Sequence, residues 1–194
     1  MLFCNPELLL PDTIRAFIET LPDTIPDQKK RMLTVIELSR LNVLHSTGGP
    51  FGAAVFTSKT GKLIAAGVNV VVESRCSHAH AEMVALAAAE HYLKTYDLGL
   101  PELPDLELVT STEPCAMCFG AIIWSGVRKV VTGATSHDAE AAGFDEGPKP
   151  DNWKACLEAR GITVITELCR SEAGTVLKAY NTGGGPIYNP QRAR

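Results

Sequence analysis

The sequence predicts an α/β fold in which helices pack on the faces of a mixed β-sheet. Apolar and β-branched runs flank the turn SKTGK (58–62), which indicates a β-hairpin over residues 51–71. After that hairpin, helical and strand patterns alternate along the chain, as they do where packed helices connect strands. A chain of 194 residues that is 45% hydrophobic can bury one substantial core.

Local patterns assign the individual elements. A first helix is predicted over residues 26–46, with Pro26 at a first position that suits its fixed backbone, and TGGP (47–50) ends it. After the hairpin we expect, in chain order, a helix over 77–95, a strand over 106–111, a helix over 114–124, a strand over 127–133, a loop, a helix over 152–160, a strand over 162–166 and a helix over 169–180.

The chain is expected to form a single domain over residues 1–194. No internal repeat, low-complexity segment or long linker divides it. Residues 1–25 and 181–194 are expected to be an N-terminal extension and a C-terminal tail of that domain.

Charge and hydropathy restrict the classes of partner. The formal net charge is −4, and the one basic run, DQKKR (27–31), is expected to be a solvated helix face, so we predict no stable nucleic-acid partner. No apolar run approaches the length of a membrane span, and residues 1–15 lack the pattern of a secretory signal. We therefore predict a cytoplasmic protein with no membrane partner.

A Cys-x-x-Cys pair opens the helix predicted after the third strand. Thr112 is expected to cap this helix with Pro114 in its first turn, which places Cys115 and Cys118 on one face. The positive end of the helix dipole favours the thiolate form, which binds metals. Taken alone, the pair fits a metal site and a redox dithiol equally well.

His80 and Glu82 decide between these two interpretations. They supply the H-x-E half of a zinc deaminase signature whose other half is P-C-x-x-C, and in that signature the Glu is not a metal ligand. His78 and Glu82 lie four residues apart, as neighbours on a helix would. We nonetheless choose His80 as the metal ligand. If the helix begins near residue 79, both His80 and Glu82 lie in its first turn, where their side chains can converge on a metal just beyond the helix end.

The sequence therefore predicts Zn²⁺ bound by His80, Cys115 and Cys118, with the fourth position open for water. Two thiolates cancel the formal charge of the metal, so this zinc should acidify water less than an all-histidine site does. A nearby base is then required, and Glu82 is assigned to that catalytic role.

Three segments carry a resemblance to a known family. GGPFGAAV (48–55), HAEMVAL (80–86) and EPCAMCFGAIIWSGVRKVV (113–131) closely resemble the cytidine deaminase superfamily, and the resemblance spans roughly residues 48–166. It implies a cytidine deaminase-like three-layer α/β/α sandwich with a mixed sheet of about five strands. It also implies a homodimer or a larger assembly.

Within that superfamily, the segment DAEAAGFDEG (138–147) is similar to the guanine deaminases, which hydrolyse guanine to xanthine and ammonia and carry an acidic pair after Gly-Phe. The similarity implies Glu146 as a second catalytic carboxyl group and Asn69 as an amide that reads the base. Phe51 and Trp124 are interpreted as flat walls for the same base. The expected substrate is thus a free purine base, with guanine first.

Alternative functions remain open at this point. A tRNA adenosine deaminase shares both halves of the signature, and cytosine or aminotriazine deaminases are further candidates. A structural zinc module is the alternative outside enzymes. It would normally need a fourth protein ligand, and no second Cys-x-x-Cys or His-x-x-x-His is present to supply one.

Overall fold

A computed structural model describes residues 9–189 of the protein. The strands are β1 (Gly52–Thr57), β2 (Leu63–Val68), β3 (Leu106–Thr112), β4 (Lys129–Ala134) and β5 (Thr163–Ile165). The helices are α1 (Asp12–Glu19), α2 (Gln28–Leu44), α3 (Val71–Ser74), α4 (Ala81–Leu93), α5 (Ala116–Ser125), α6 (Ser136–Ala141), α7 (Trp153–Glu158) and α8 (Arg170–Thr182).

The strands form one mixed sheet in the order β2-β1-β3-β4-β5. β1 pairs antiparallel with both β2 and β3, whereas β3, β4 and β5 run parallel to one another. The carboxyl ends of the three parallel strands therefore lie at one edge of the sheet, where ligands of open α/β sheets usually bind.

Helices cover both faces of this sheet. Along β1, successive side chains point to opposite faces: Ala54 and Phe56 pack in a core with residues of α1, α2 and α8, whereas Ala53 and Val55 pack in a second core with residues of α4, α5 and α7. The predicted α/β/α arrangement with a mixed, five-stranded sheet is confirmed.

The structure places helix α1 in the N-terminal segment, where the sequence predicts no helix or strand. Ile14, on α1, is fully buried in the core that contains α2. α2 begins at Gln28 and not at Pro26, because the side chain of Asp27 accepts a hydrogen bond from the Lys30 N–H group and caps the helix. Parts of the predicted extension and tail, residues 1–8 and 190–194, lie outside the described residues.

Two further differences concern the segments around Cys115 and Cys118. Thr112 is the last residue of β3, paired with Ala134 of β4, so its predicted role as a helix cap is wrong because the strand pairing continues through it. α6 occupies part of the predicted loop after β4. Its start is fixed by a capping box, in which Thr135 and Asp138 bind each other's backbone N–H groups.

A buried ionic cluster joins α2 to the sheet at the beginning of β3. The guanidinium of Arg31 lies 2.5 Å from the carboxylate of Glu107, and the Lys129 ammonium lies 3.0 Å from the same group. Arg31 and Glu107 are both almost completely buried, so each neutralises a charge that would otherwise be costly to bury. The prediction that the basic run 27–31 is a solvated helix face is therefore wrong for Arg31, because its guanidinium turns inward to Glu107. Among the described residues, no helix has the length and apolar character needed to cross a membrane.

Candidate active site

The predicted metal ligands meet where two helices begin. His80 is the N-cap residue of α4, and Cys115 is the N-cap residue of α5, with Cys118 in the first turn of α5. One ligand atom from each of these three side chains lies within 4.8 Å of the other two. The two helix N-termini therefore direct their positive ends towards the same cluster, which favours thiolate.

The chemistry of this cluster fits zinc. Nδ1 of His80 lies 3.5 Å from the sulfur of Cys115 and 3.7 Å from that of Cys118. The hydrogen bond between the two cysteines lowers the pKa of Cys115 to about 4, whereas the same hydrogen bond and burial raise the pKa of Cys118, so the thiolate form is favoured at Cys115. Within residues 9–189 the cluster has three members, which leaves the fourth position that a catalytic zinc site keeps for water.

Glu82 lies beside the ligands but is occupied by other contacts. One of its carboxylate oxygens accepts a hydrogen bond from the Thr110 hydroxyl at 3.0 Å, and the other lies 3.4 Å from the sulfur of Cys118. Burial raises the pKa of the Glu82 carboxyl group above its usual range. A raised pKa suits a group that has to accept and return a proton near neutral pH.

His80 and Glu82 converge because only one of them lies within the helix. α4 begins at Ala81, and the backbone of His80 is extended. The angle that would separate the two side chains if both lay in a helix therefore does not limit their approach. His78 lies apart from the metal cluster. Its ring nitrogens contact the sulfur of Cys76 at 3.3 and 3.5 Å.

A pocket with aromatic walls adjoins the cluster. Phe51, Phe144 and Tyr180 line it together with His80 and Glu82. The rings of Phe51 and Phe144 meet edge to face with centroids 4.8 Å apart, and Phe144 stacks on Tyr180 at 5.9 Å. Flat apolar walls with a few polar groups are typical of a site for a planar ring.

Trp124 lies outside this pocket, so its interpretation as a wall for the base is wrong. Its side chain is 86% exposed, whereas Cys118 and Ile122 of the same helix are buried. Two residues after Ile122 the helix has turned by about 200°, so Trp124 points away from the sheet. Phe144, for which no role is predicted from the sequence, lines the pocket instead.

Asn69 lies directly after β2 and lines the same pocket. The amide of Asn42, which is completely buried, donates to the backbone carbonyl groups of Asn69 and Gly49, both at 2.9 Å. A Cβ atom at Gly49 would lie 3.2 Å from the side-chain oxygen of Asn69, so the absence of a side chain there leaves room for the amide. Asn42, on α2, thus fixes the backbone at Asn69 and with it this side of the pocket.

Glu146 and Asp145 both line the pocket, but they differ in burial. Glu146 is 8% exposed, and one of its carboxyl oxygens, Oε2, is buried and has no hydrogen-bond partner within residues 9–189. Burial raises the pKa of Glu146 to about 8, although the nearby Lys149 opposes this shift. Asp145 is exposed and accepts a hydrogen bond from the Gly147 N–H group at 2.8 Å. A buried carboxyl oxygen that no described residue binds is available to a ligand.

The first residues of the predicted tail fold back over the pocket. α8 continues to Thr182, and Pro186 and Tyr188 then line the pocket. The hydroxyl of Tyr180 donates to the Pro186 carbonyl at 2.6 Å, and the amide of Asn189 donates to the Gly143 carbonyl at 3.0 Å. The tail therefore contributes to the enclosure of the site.

Residues 26–134 match a protein family described as the cytidine and deoxycytidylate deaminase zinc-binding region. The chain belongs to this family. The matched region contains the metal cluster and Glu82, whereas Glu146 and the tail lie beyond it. Zinc is accordingly the metal of this domain.

Two relatives of this chain are a guanine deaminase and a tRNA-specific adenosine deaminase. The guanine deaminase of Bacillus subtilis (strain 168) is 44% identical over 99 residues, which are 51% of this chain and 59% of that enzyme. A tRNA-specific adenosine deaminase of Buchnera aphidicola is 36% identical over 131 residues, which are 68% of this chain and 79% of that protein.

Solved structures agree over nearly the whole fold. The guanine deaminase from Nitrosomonas europaea is 52% identical, with 91% of this chain and 96% of that chain covered and a TM-score of 0.86. The structure of NE0047 in complex with 2,6-diaminopurine is 53% identical, with 95% and 96% covered and a TM-score of 0.86.

The ligand assignment predicts which variants lose zinc. His80→Ala and Cys118→Ala should each lose the metal, because two remaining protein ligands do not hold zinc through purification. His78→Ala is the matched control and should retain it. The zinc content of the purified proteins, measured by mass spectrometry, tests this assignment. Full zinc occupancy in His80→Ala would overturn it.

Proposed function

We propose that this protein hydrolyses guanine to xanthine and ammonia. The observation that carries the proposal is the presence of two buried carboxyl groups, Glu82 and Glu146, in one aromatic-walled pocket beside a zinc-binding cluster. The similarity to two guanine deaminases, from Bacillus subtilis and Nitrosomonas europaea, supports the choice of base.

The first carboxyl group handles the proton of the attacking water. Zinc held by His80, Cys115 and Cys118 supplies a Lewis acid that lowers the pKa of water. Glu82 accepts a proton from the attacking water and returns it to N3 of guanine, which makes the adjacent C2 carbon more electrophilic. The hydrogen bond from Thr110 holds the Glu82 carboxylate in place for this transfer.

The second carboxyl group serves the leaving amine. The amine of guanine stands on C2 between N1 and N3, so a group on the far side of the ring can reach both N1–H and the amine. One oxygen of Glu146 accepts a hydrogen bond from N1–H, which keeps its proton, and the protonated carboxyl group donates its own proton to the amine, which leaves as ammonia. The hydroxyl group that the water leaves on C2 then returns its proton to Glu146. Of the two protons that the water brings, one ends on N3 and the other on ammonia, and the oxygen becomes the new carbonyl of xanthine.

Such a site discriminates against adenine. Adenine carries its amine on C6, which has only one ring nitrogen as a neighbour, and it has no N1–H group. In the same pocket, one of the two carboxyl groups would therefore face no ring nitrogen with which it could exchange a proton or a hydrogen bond. A site built around a hydrogen bond rejects substrates without that bond by factors of about 10⁴ to 10⁵.

The partner class follows from the same pocket. A planar nucleobase fills an aromatic-walled site that the first residues of the tail partly cover, whereas tRNA would need a basic surface on a chain whose net charge is −4. We propose a free small-molecule substrate and no stable nucleic-acid partner. The cytoplasmic location stays a prediction from the sequence.

We also propose that the protein forms a homodimer through the outer face of α5. Met117 and Trp124 are 38% and 86% exposed, and a Cβ atom at Gly120, between them, would meet no other atom within 4 Å. These three positions form one side of a strongly apolar helix, and large exposed apolar surfaces of this kind mark interaction sites. A second copy of the chain is the partner that the superfamily implies.

Ammonia release from guanine, adenine, cytosine and cytidine tests the substrate. Guanine should give the highest kcat/KM. Glu146→Gln should lower kcat by a factor of about 10² to 10⁴, because a positioned proton-transfer group is lost, whereas Asp145→Asn should remain close to the wild type because Asp145 is exposed. A higher kcat/KM for adenine or cytidine would refute the substrate, and an inactive Asp145→Asn with an active Glu146→Gln would reassign the second carboxyl group.

Sedimentation velocity tests the dimer. Trp124→Glu should shift the wild-type dimer to the monomer, because it places a charge in the apolar contact. Leu44→Glu is the matched control, since Leu44 is 60% exposed on α2 at the opposite face of the sheet, and it should remain a dimer. A monomeric wild type would contradict the proposal.

A further inference from the structure

Lys149 is a buried lysine three residues after Glu146. Its side chain is 8% exposed, and its ammonium donates to the Pro114 carbonyl at 2.8 Å and to the Ser136 hydroxyl at 2.6 Å. The carboxylate of Glu113 lies 3.8 Å away and balances its charge. Burying an ammonium is costly unless it is paired and hydrogen-bonded, so these contacts hold Lys149 in one place.

These contacts join three segments of the site. Pro114 directly precedes the metal ligand Cys115, and Ser136 is the first residue of α6. Ser136 also donates to Glu113 through both its N–H group and its hydroxyl at 3.1 Å. The ammonium of Lys149 therefore fixes the segment that carries Glu146 against the segment that carries a metal ligand.

The position of Glu146 depends on its backbone. No described residue forms a hydrogen bond with its buried Oε2 atom. Its backbone carbonyl accepts from the Ala116 N–H group at 2.9 Å, and the N–H of Lys149 donates to the Gly147 carbonyl at 2.8 Å. Gly147 has a φ of +68°, so the chain turns sharply between these two attachments. Ala116 and Lys149 thus hold the two ends of this turn.

Lys154 provides a natural comparison. Both lysines lie over the ring of Trp153, with the Lys149 nitrogen 4.9 Å and the Lys154 nitrogen 5.9 Å from its centroid. The ammonium of Lys154 donates to the Thr166 hydroxyl at 3.2 Å, and within the described part of the chain it has no hydrogen bond to a segment that lines the pocket. The two residues therefore share the aromatic contact and differ in the attachment to the site.

We propose that Lys149 is a positioning residue, which acts on the reaction through Glu146 by fixing the turn that carries it. This inference rests on the proposed catalytic role of Glu146. Among residues 9–189, those that line the pocket do not include Lys149. A displacement of about 1 Å of a catalytic group can cost up to a hundredfold in rate, which is the effect that the ammonium prevents.

The first measurement compares Lys149→Met with Lys154→Met, both scored for guanine turnover per bound zinc. Lys149→Met keeps the apolar stem on Trp153 and removes the ammonium, so kcat should fall about tenfold to a hundredfold with unchanged zinc content. Lys154→Met should match the wild type. Ser136→Ala, which removes one attachment of the ammonium, should change kcat in the same direction by a smaller factor and serves if Lys149→Met does not fold.

The second measurement adds Lys149→Met, or Ser136→Ala in its place, to Glu146→Gln. If Lys149 acts through Glu146, the double variant should have the kcat of Glu146→Gln alone, because residues that act as a unit are not additive. A kcat reduced by the product of the two single effects would show a general structural role and overturn the proposal, as would a wild-type kcat in Lys149→Met. Equal kcat in the wild type and Glu146→Gln would overturn the role of Glu146 instead, which separates the two failures.

Discussion

The site depends on the meeting of two helix N-termini at one edge of the sheet. α4 and α5 both begin there, and each presents a metal ligand as its N-cap residue, His80 and Cys115. An N-cap side chain stands outside the helix, so it can turn towards a point that no single helix face reaches. Because Cys118 and Glu82 follow within the first turns, the same geometry places the third sulfur or nitrogen ligand atom of the cluster and the proposed base Glu82 beside that point.

The rest of the pocket is attached to this point by buried contacts from distant parts of the chain. Asn42 of α2 fixes the backbone that carries Asn69, and Lys149 fixes the turn that carries Glu146. The two carboxyl groups occupy environments that raise their pKa values, since burial disfavours the charged form of each. Carboxyl groups tuned in this way can hold and release protons near neutral pH.

The sequence predicts best what depends on local spacing. His80, Cys115 and Cys118 form a signature whose spacing and position at helix starts can be interpreted without a structure, and the structure brings them together. The element order also follows from local periodicity. Trp124 is misassigned because α5 is apolar on nearly all sides, so its composition does not indicate which side faces the sheet. The capping box that starts α6 at Thr135 is a local signal that could have been found.

Other features need the folded structure. The pairing of Arg31 with Glu107 joins residues that are far apart in the sequence, and no local pattern indicates it. The same holds for the contacts of Lys149 with Pro114 and Ser136. Such contacts arise from tertiary packing. They fix the positions of the side chains in the site, which a sequence motif does not specify.

The most direct test of the central claim separates metal binding from proton transfer at Glu82. Glu82→Gln should bind zinc fully and lose guanine turnover by a factor of about 10² to 10⁴, because the amide cannot accept and return the proton of water. Glu90→Gln, on the same helix, is the matched control and should keep both zinc and turnover. Substantial turnover in Glu82→Gln, or loss of its zinc, would contradict the account.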